Sequence, residues 1–252
     1  MNKVVFSFDD TKIKKLKNKR NILGGKGTNL AEMGKLGLPV PPGFIISTEV
    51  CEIFYKNKKK LPSKIIKDIE KELKNIEKKS SKKFGDLKNP LLISVRSGAR
   101  ISMPGMMDTI LNLGLNDKTV EALSKKTSNG RFAKDSYRRF IQMYSNVVLG
   151  IGNHLFEELI ENYKLTKGVL SDTELDESDW DGLIKNFKEL IKRERKINFP
   201  QDVKEQLYGA ISAVFLSWNS QRAKTYRKLN QIPDHWGTAV NVQTMVFGNT
   251  GE

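Results

Sequence analysis

Two arginines near the middle of the chain are the residues best suited to chemistry. Arg96 and Arg100 stand on either side of Gly98, directly after the apolar run 91–95, which is typical of a buried strand. A guanidinium binds phosphate through two parallel hydrogen bonds, and backbone N–H groups near glycine add further donors. Because Arg100 could equally pair with a local carboxylate, a surface hairpin with solvated arginines remains an alternative to a phosphate site.

A loop of small and apolar residues, 102–109, follows the arginines and precedes a second predicted strand at 110–115. Its tip contains Gly105 and several hydroxyl groups lie close by. Two guanidiniums at the mouth of such a hairpin would form a cradle for a polyphosphate.

Lys26 is a further candidate cation, within the sequence Gly-Gly-Lys-Gly at 24–27. The apolar spacing predicts a helix that begins at Gly27 or Thr28, so Lys26 would stand just before a helix N-terminus, where anions bind well. The sequence is not a Walker A loop, because Gly27 follows the lysine and Arg20 occupies the upstream glycine position. Taken alone, it equally describes a glycine-rich turn with a solvated lysine.

The elements that must position these residues indicate an α+β fold. Strands are predicted at 4–8 and 44–47, and 238–247 alternates apolar and polar residues. Residues 116–199 have helical periodicity throughout and are interpreted as an all-helical insertion. A first domain would then comprise 1–115 plus 200–252. A strand followed at once by the end of the chain leads us to expect that this domain is incomplete at its C-terminus.

Composition limits the remaining classes of function. The chain has 252 residues and a net charge of +15, but the lysines are spread over helical faces without interleaved aromatic residues. A solvated surface is therefore favoured over nucleic-acid binding. The single cysteine, Cys51, and the two histidines exclude an internal disulfide and argue against a thiolate or histidine metal site. The sequence has neither a signal peptide nor a membrane-spanning run, so we expect a cytoplasmic protein.

Five stretches resemble the nucleotide-binding region of the pyruvate, phosphate dikinase family. They are Gly-Gly-Lys-Gly followed by Asn-Leu-Ala-Glu-Met, Leu-Leu-Ile-Ser-Val-Arg-Ser-Gly-Ala-Arg, Ser-Met-Pro-Gly-Met-Met-Asp-Thr, Tyr-Arg-Arg-Phe-Ile-Gln-Met-Tyr, and Trp-Gly-Thr-Ala-Val-Asn-Val-Gln-Thr-Met-Val-Phe-Gly. The likeness extends over essentially the whole chain. Related phosphoenolpyruvate synthases resemble the first two stretches but do not usually carry the methionine-rich loop or the helical insertion in this form.

The resemblance implies an ATP-grasp-like fold and a phosphotransferase that converts ATP, phosphate and pyruvate to AMP, pyrophosphate and phosphoenolpyruvate through a phosphohistidine on a separate domain. It assigns Lys26 and Arg96 to the phosphates, and it makes the loop 102–109 a flap over them. The flap residues are Ser102, Gly105, Met106, Met107, Asp108 and Thr109. It places Gln243, Met245 and Val246, as weaker candidates, beside the adenine.

The resemblance also implies what lies elsewhere. The Mg²⁺ ligands and the carrier histidine are expected beyond residue 252, so we expect neither a complete catalytic set nor a metal site here. We therefore expect the isolated chain to bind nucleotide weakly or not at all and to have no catalytic activity. The resemblance also implies that the full-length protein is a homodimer. The alternatives are the ATP-binding part of a phosphoenolpyruvate synthase-like dikinase, a basic nucleic-acid-binding module, or a piece that only docks against the carrier domain.

Overall fold

The computed structural model describes residues 3–248, which divide into two compact units. The first unit comprises 3–81, Ile93–Thr109 and Ile211–Val246, and the second comprises Lys82–Leu92, Ile110–Ala210 and 247–248. Both helices and an antiparallel sheet are present, which confirms the α+β class.

The strands are short and most of their neighbours in the sheet are distant in the sequence. In chain order they are β1 Val5–Ser7, β2 Gly43–Ile46, β3 Lys83–Phe84, β4 Pro90–Leu91, β5 Ile93–Ala99, β6 Thr109–Leu113 and β7 Thr238–Thr244. Within the first unit four of them lie in the order β1-β2-β7-β5, each antiparallel to its neighbour. The register places Asn241 of β7 between Ile45 of β2 and Arg96 of β5. Arg96 is therefore inside a strand, not beyond the end of one as the sequence predicted.

Strand β7 is buried along its whole length and is three residues shorter than predicted. Pairing with β2 ends at Gly43 opposite Gln243, because Pro41 and Pro42 precede Gly43 and proline has no N–H to donate. The predicted strand 238–247 was therefore wrong at its C-terminal end. Met245 and Val246 lie outside the sheet, and Val246 is 70% exposed.

The helices account for most of the second unit and for a large part of the first. They are α1 Lys19–Lys35, α2 Thr48–Lys56, α3 Ser63–Ser80, α4 Thr119–Thr127, α5 Gly130–Val147, α6 Asn153–Lys167, α7 Glu177–Arg195, α8 Val203–Ser217 and α9 Gln221–Leu229. Within residues 3–248, none of them is both long and apolar enough to cross a lipid bilayer. In the same range the structure brings no three His, Cys, Asp or Glu side chains together as a metal-binding group.

Helix α1 begins earlier than predicted and is broken at Gly24, which has φ 69° and ψ 173°. The helical backbone already starts at Lys19, and it resumes after the break, where the Thr28 hydroxyl donates to the Gly24 carbonyl at 2.7 Å. The predicted start at Gly27 or Thr28 was therefore wrong. Lys26 lies in the first turn after the break and does not precede the helix.

The second unit is wider than the helical insertion predicted at 116–199. The Gln206 side chain accepts from the Gly114 N–H at 3.3 Å and donates to the Leu115 carbonyl at 3.0 Å, so segments on both sides of 116–199 belong to it. Its core packs the Phe156 and Phe187 rings edge to face, with centroids 4.9 Å apart.

Candidate functional site

The first unit contains a cavity of about 380 Å³ bounded by α1, the end of β5 and the loop that follows β5. Among the residues that line it are Lys26, Ser102, Gly105, Met107 and Thr109. The structure thus brings these five predicted site residues to one place. The other six predicted residues are not part of the lining: Arg96, Met106, Asp108, Gln243, Met245 and Val246.

Two glycines allow the backbones of α1 and β5 to meet at this cavity. A Cβ atom on Gly24 would lie 1.7 Å from the Gly98 carbonyl oxygen, and one on Gly98 would lie 2.4 Å from Nδ2 of Asn241. Gly24 also has a positive φ, which side chains other than glycine adopt at a cost. No other residue type fits at Gly24 without a shift of the backbone, so the break that places Lys26 depends on glycine there.

Lys26 and Arg96 are close enough to influence each other electrostatically. The Lys26 side chain is accessible to solvent, but the surrounding protein atoms partly desolvate its ammonium group, and this, with the nearby charge of Arg96, lowers the pKa of Lys26. Burial likewise lowers the pKa of Arg96. Within residues 3–248 neither cation has an ion-pair partner, so their positive charges are left for an anion to neutralise.

Arg96 is oriented by a glutamine on the neighbouring strand, although Arg96 itself does not line the cavity. Its Nη2 donates to Oε1 of Gln243 at 2.5 Å, and Nε2 of Gln243 donates in turn to the Pro41 carbonyl at 3.2 Å. The Arg96 Nε is buried and has no hydrogen-bond partner within residues 3–248. The sequence identified both residues but not their contact, which depends on the register of β5 against β7.

The loop after β5 is attached to the last helix of the first unit through Arg222. Nε of Arg222 donates to the Met106 carbonyl at 3.2 Å, and its Nη2 forms an ion pair with Asp108. The Asp108 N–H also donates to the Ser217 hydroxyl at 3.4 Å. Burial raises the pKa of Asp108 despite the opposing effect of Arg222. Sequence reasoning missed Arg222, because an arginine in the polar helix α9 looks like an ordinary surface residue.

Arg100 packs against an aromatic ring. Its guanidinium lies 5.1 Å from the centroid of the Trp236 ring, a cation–π contact. Its Nε is buried and has no hydrogen-bond partner among the described residues. Arg100 forms no ion pair within residues 3–248, so the structure does not support the alternative of a local carboxylate partner.

The chain matches one protein family and several curated relatives. The family model described as "Pyruvate phosphate dikinase, AMP/ATP-binding domain" matches residues 20–67 and 58–251. The pyruvate, phosphate dikinase of Clostridium symbiosum is 56% identical over 234 residues, which are 92% of this chain and 27% of the relative. The enzyme of Rhizobium meliloti (strain 1021) is 51% identical over 251 residues, 100% of this chain and 28% of the relative. The chloroplastic enzyme of Flaveria pringlei is 51% identical over 249 residues, 99% of this chain and 26% of the relative. The chain thus spans about a quarter of the length of these relatives.

Proposed function

The chain belongs to the pyruvate phosphate dikinase AMP/ATP-binding family, and from this premise we propose that it binds the phosphates of ATP in the cavity of the first unit. One observation carries the proposal. The charge of Arg96 acts on Lys26, and within residues 3–248 neither cation has a carboxylate partner. Lys26 lines a cavity whose wall also includes Gly105 and Thr109. Because these cations are not neutralised by the protein, they are available to bind the negatively charged oxygens of a polyphosphate.

Each part of the cavity has a distinct task in this proposal. Lys26 supplies a point charge in the first turn after the break in α1, where backbone N–H groups also favour an anion. Arg96 supplies a planar guanidinium that Gln243 holds in place. The loop 102–109 covers the phosphates and limits their contact with water. Phosphoryl transfer depends mainly on such positioning and charge neutralisation, and little covalent chemistry is asked of the residues that hold ATP.

We further propose that the chain serves as the nucleotide-binding part of a dikinase with an ATP-grasp-like fold. The full-length enzyme would convert ATP, phosphate and pyruvate to AMP, pyrophosphate and phosphoenolpyruvate through a phosphohistidine carrier domain and would act as a homodimer in the cytoplasm. The identity to pyruvate, phosphate dikinases supports the activity, and their much greater length leaves room for the carrier domain.

Mg²⁺ would accompany the triphosphate in this enzyme, where it neutralises charge on the phosphate oxygens. The described residues do not fit a resident Mg²⁺ site. Asp108, the carboxylate within the loop 102–109, is paired with Arg222, and residues 3–248 contain no cluster of three potential ligands. We therefore assign the protein ligands of Mg²⁺ to another part of the full-length enzyme.

The nucleotide proposal is tested by a ¹H–¹⁵N NMR titration of the full chain with ATP up to millimolar concentration, a range in which weak binding is visible. We expect saturable shifts of the amides of 25–28 and 102–109, and a loss of at least about tenfold in affinity for Lys26→Ala and for Arg96→Ala. The matched control is Lys35→Ala, at the exposed end of the same helix. Saturable shifts that do not weaken in Lys26→Ala and Arg96→Ala, or no shift at all, would contradict the proposal.

The assignment to a dikinase needs the full-length enzyme. There, Lys26→Ala and Arg96→Ala should abolish AMP formation but retain exchange between pyruvate and phosphoenolpyruvate. Unchanged AMP formation would instead support a purely docking role. AMP formation that does not require phosphate would support the phosphoenolpyruvate synthase-like alternative.

A further inference from the structure

A second cation lines the cavity of the first unit, and the proposed function has given it no task. Arg20 belongs to the same lining as Lys26, in the part of α1 that precedes the break at Gly24. Its side chain is exposed, and within residues 3–248 it has neither an ion pair nor a hydrogen bond. The Arg20 guanidinium is therefore available to a ligand in this cavity.

The break in α1 allows Arg20 and Lys26 to line one cavity. In an unbroken α-helix, side chains six residues apart point in directions that differ by about 120°, because each residue turns the helix by about 100°. The non-helical backbone of Gly24 interrupts that rotation between the two cations. Asn29, about one turn after Lys26, also lines the cavity. The two segments of α1 thus present polar side chains to the same space.

The cavity carries positive charge without a negative charge of its own. Among the described residues that line it, Arg20 and Lys26 are the charged ones, and none is Asp or Glu. The other polar side chains of the lining are one amide and three hydroxyls, those of Asn29, Ser97, Ser102 and Thr109. Two like charges that share one cavity repel each other, so a ligand with several negative charges suits it best.

Strand β5 relates the position of Arg20 to that of Gln243, which is expected beside the adenine. Gln243 is paired with Ser94, near the start of β5. At the end of β5, a Cβ atom on Gly25 would lie 3.5 Å from the Ala99 carbonyl oxygen and 3.5 Å from Nε of Arg20. Ser94 and Ala99 are separated along the strand by about 16 Å, at the usual rise of about 3.3 Å per residue. Arg20 and Gln243 therefore lie near opposite ends of β5.

The base and the terminal phosphate form opposite ends of ATP. A molecule that extends along β5 from Gln243 past Arg96 has its terminal phosphate nearest to Arg20. We propose that Arg20 binds the terminal phosphate of ATP and thereby makes the cavity select a nucleoside triphosphate over a diphosphate. This inference rests on the proposed function, because the direction of the nucleotide follows from the expected position of the adenine. A guanidinium suits the task, since it donates two parallel hydrogen bonds to one phosphate group.

Separate NMR titrations of the full chain with ATP and with ADP test the role of Arg20, since the two probes differ only in the terminal phosphate. In the unaltered chain we expect the Nε–H signal of Arg20 to shift on addition of ATP but not of ADP. Arg20→Ala should lower the affinity for ATP about tenfold, to about that for ADP, and leave the affinity for ADP unchanged. The matched control is Lys19→Ala, which removes the neighbouring charge from a side chain that lines a different cavity and should alter neither affinity.

The role of Arg20 and the proposed function fail in different ways. ATP binding that depends on Lys26 but not on Arg20 would overturn the role of Arg20 and leave the phosphate site in place. Equal losses of ATP and ADP affinity in Arg20→Ala would show that Arg20 does not recognise the terminal phosphate. The absence of saturable ATP binding would overturn the proposed function and this inference together. If Arg20→Ala does not fold, Arg20→Gln removes the charge, keeps a polar side chain and should show the same selective loss.

Discussion

Nη2 of Arg96 on β5 lies 2.5 Å from Oε1 of Gln243 on β7, and this hydrogen bond joins two strands that are distant in the sequence. The Gln243 amide also donates to the Pro41 carbonyl, so it cannot rotate freely. The guanidinium whose charge lowers the pKa of Lys26 is therefore held by β7 as well as by its own strand.

Replacement of Gln243 by Leu should release Arg96. A hydrogen bond to a charged group contributes about 1.5–3 kcal/mol, so we expect the free energy of unfolding to fall by about that amount and ATP binding to weaken about tenfold or more. Urea denaturation and the NMR titration measure the two effects. The matched control is Gln221→Leu, at an exposed position of α9. Equal ATP affinity in Gln243→Leu and the unaltered chain would show that Gln243 does not position Arg96.

Two glycines of α1 should respond to alanine in opposite ways. Gly24→Ala places a methyl group against the Gly98 carbonyl and also strains a positive φ, so we expect a loss of at least about 3 kcal/mol in the free energy of unfolding. Gly34→Ala meets nothing within 4 Å and should stabilise the protein by up to about 1 kcal/mol. Thermal and urea unfolding of both variants provide the test, and similar results for the two would refute the steric argument.

The Lys26 ammonium should titrate below its usual value of 10.5. NMR of isotope-labelled lysine side chains measures this pKa, which we expect to rise when Arg96 is replaced by Met and when ATP is added. Between the lowered pKa and 10.5 the unfolded chain binds more protons than the folded one, so stability should increase with pH across that window. Below the window the cost of the buried charge is fully present. An identical Lys26 pKa in Arg96→Met would contradict the proximity of the two cations.

The contacts of Arg222 should restrict the loop after β5. Arg222→Ala removes the partner of Asp108 and a donor to the Met106 carbonyl, and since Arg222 is half exposed we expect a stability loss of only about 0.5–1 kcal/mol. Hydrogen exchange of 102–108 should become faster, and the pKa of Asp108, already raised by burial, should rise further. Unchanged exchange rates in this loop would show that Arg222 does not hold it.

The raised pKa of Asp108 should also make folding stability depend on pH, and the direction of that dependence can be measured separately. Between its usual value and the raised one, the folded state holds more protons than the unfolded state, so this residue should reduce stability as pH rises through that window. Asp108→Asn should remove this contribution. The same pH dependence in Asp108→Asn and the unaltered chain would assign it to another group.

The net charge of +15 should not produce tight binding of nucleic acid. We expect duplex and single-stranded DNA to bind more weakly than about 1 µM at physiological salt, as expected of a non-specific basic surface. Fluorescence anisotropy over a salt series tests this. Tight binding with a steep salt dependence would revive the nucleic-acid-binding alternative.

The sequence predicted which residues gather at the cavity better than it predicted how they are held. The strand that leads to Arg96 and the loop with Gly105 follow from local patterns, although the strand continues through Arg96 to Ala99. The break at Gly24 could not be found in this way, because its cause is the approach of Gly98 from a distant strand. The role of Arg222 was hidden for the same reason, since both its contacts lie far away in the chain.

The close approach of Gly24 to Gly98 also links ligand binding to folding. A partly folded chain in which β5 has separated from α1 loses one wall of the first-unit cavity, so the cavity exists only when these remote segments are joined. An anion that binds in this cavity binds only the state in which α1 and β5 are in contact. It therefore stabilises that state, by a free energy that increases with the logarithm of the ratio of anion concentration to dissociation constant. The melting temperature of the first unit would then serve as a gauge of occupancy, without any need to observe turnover.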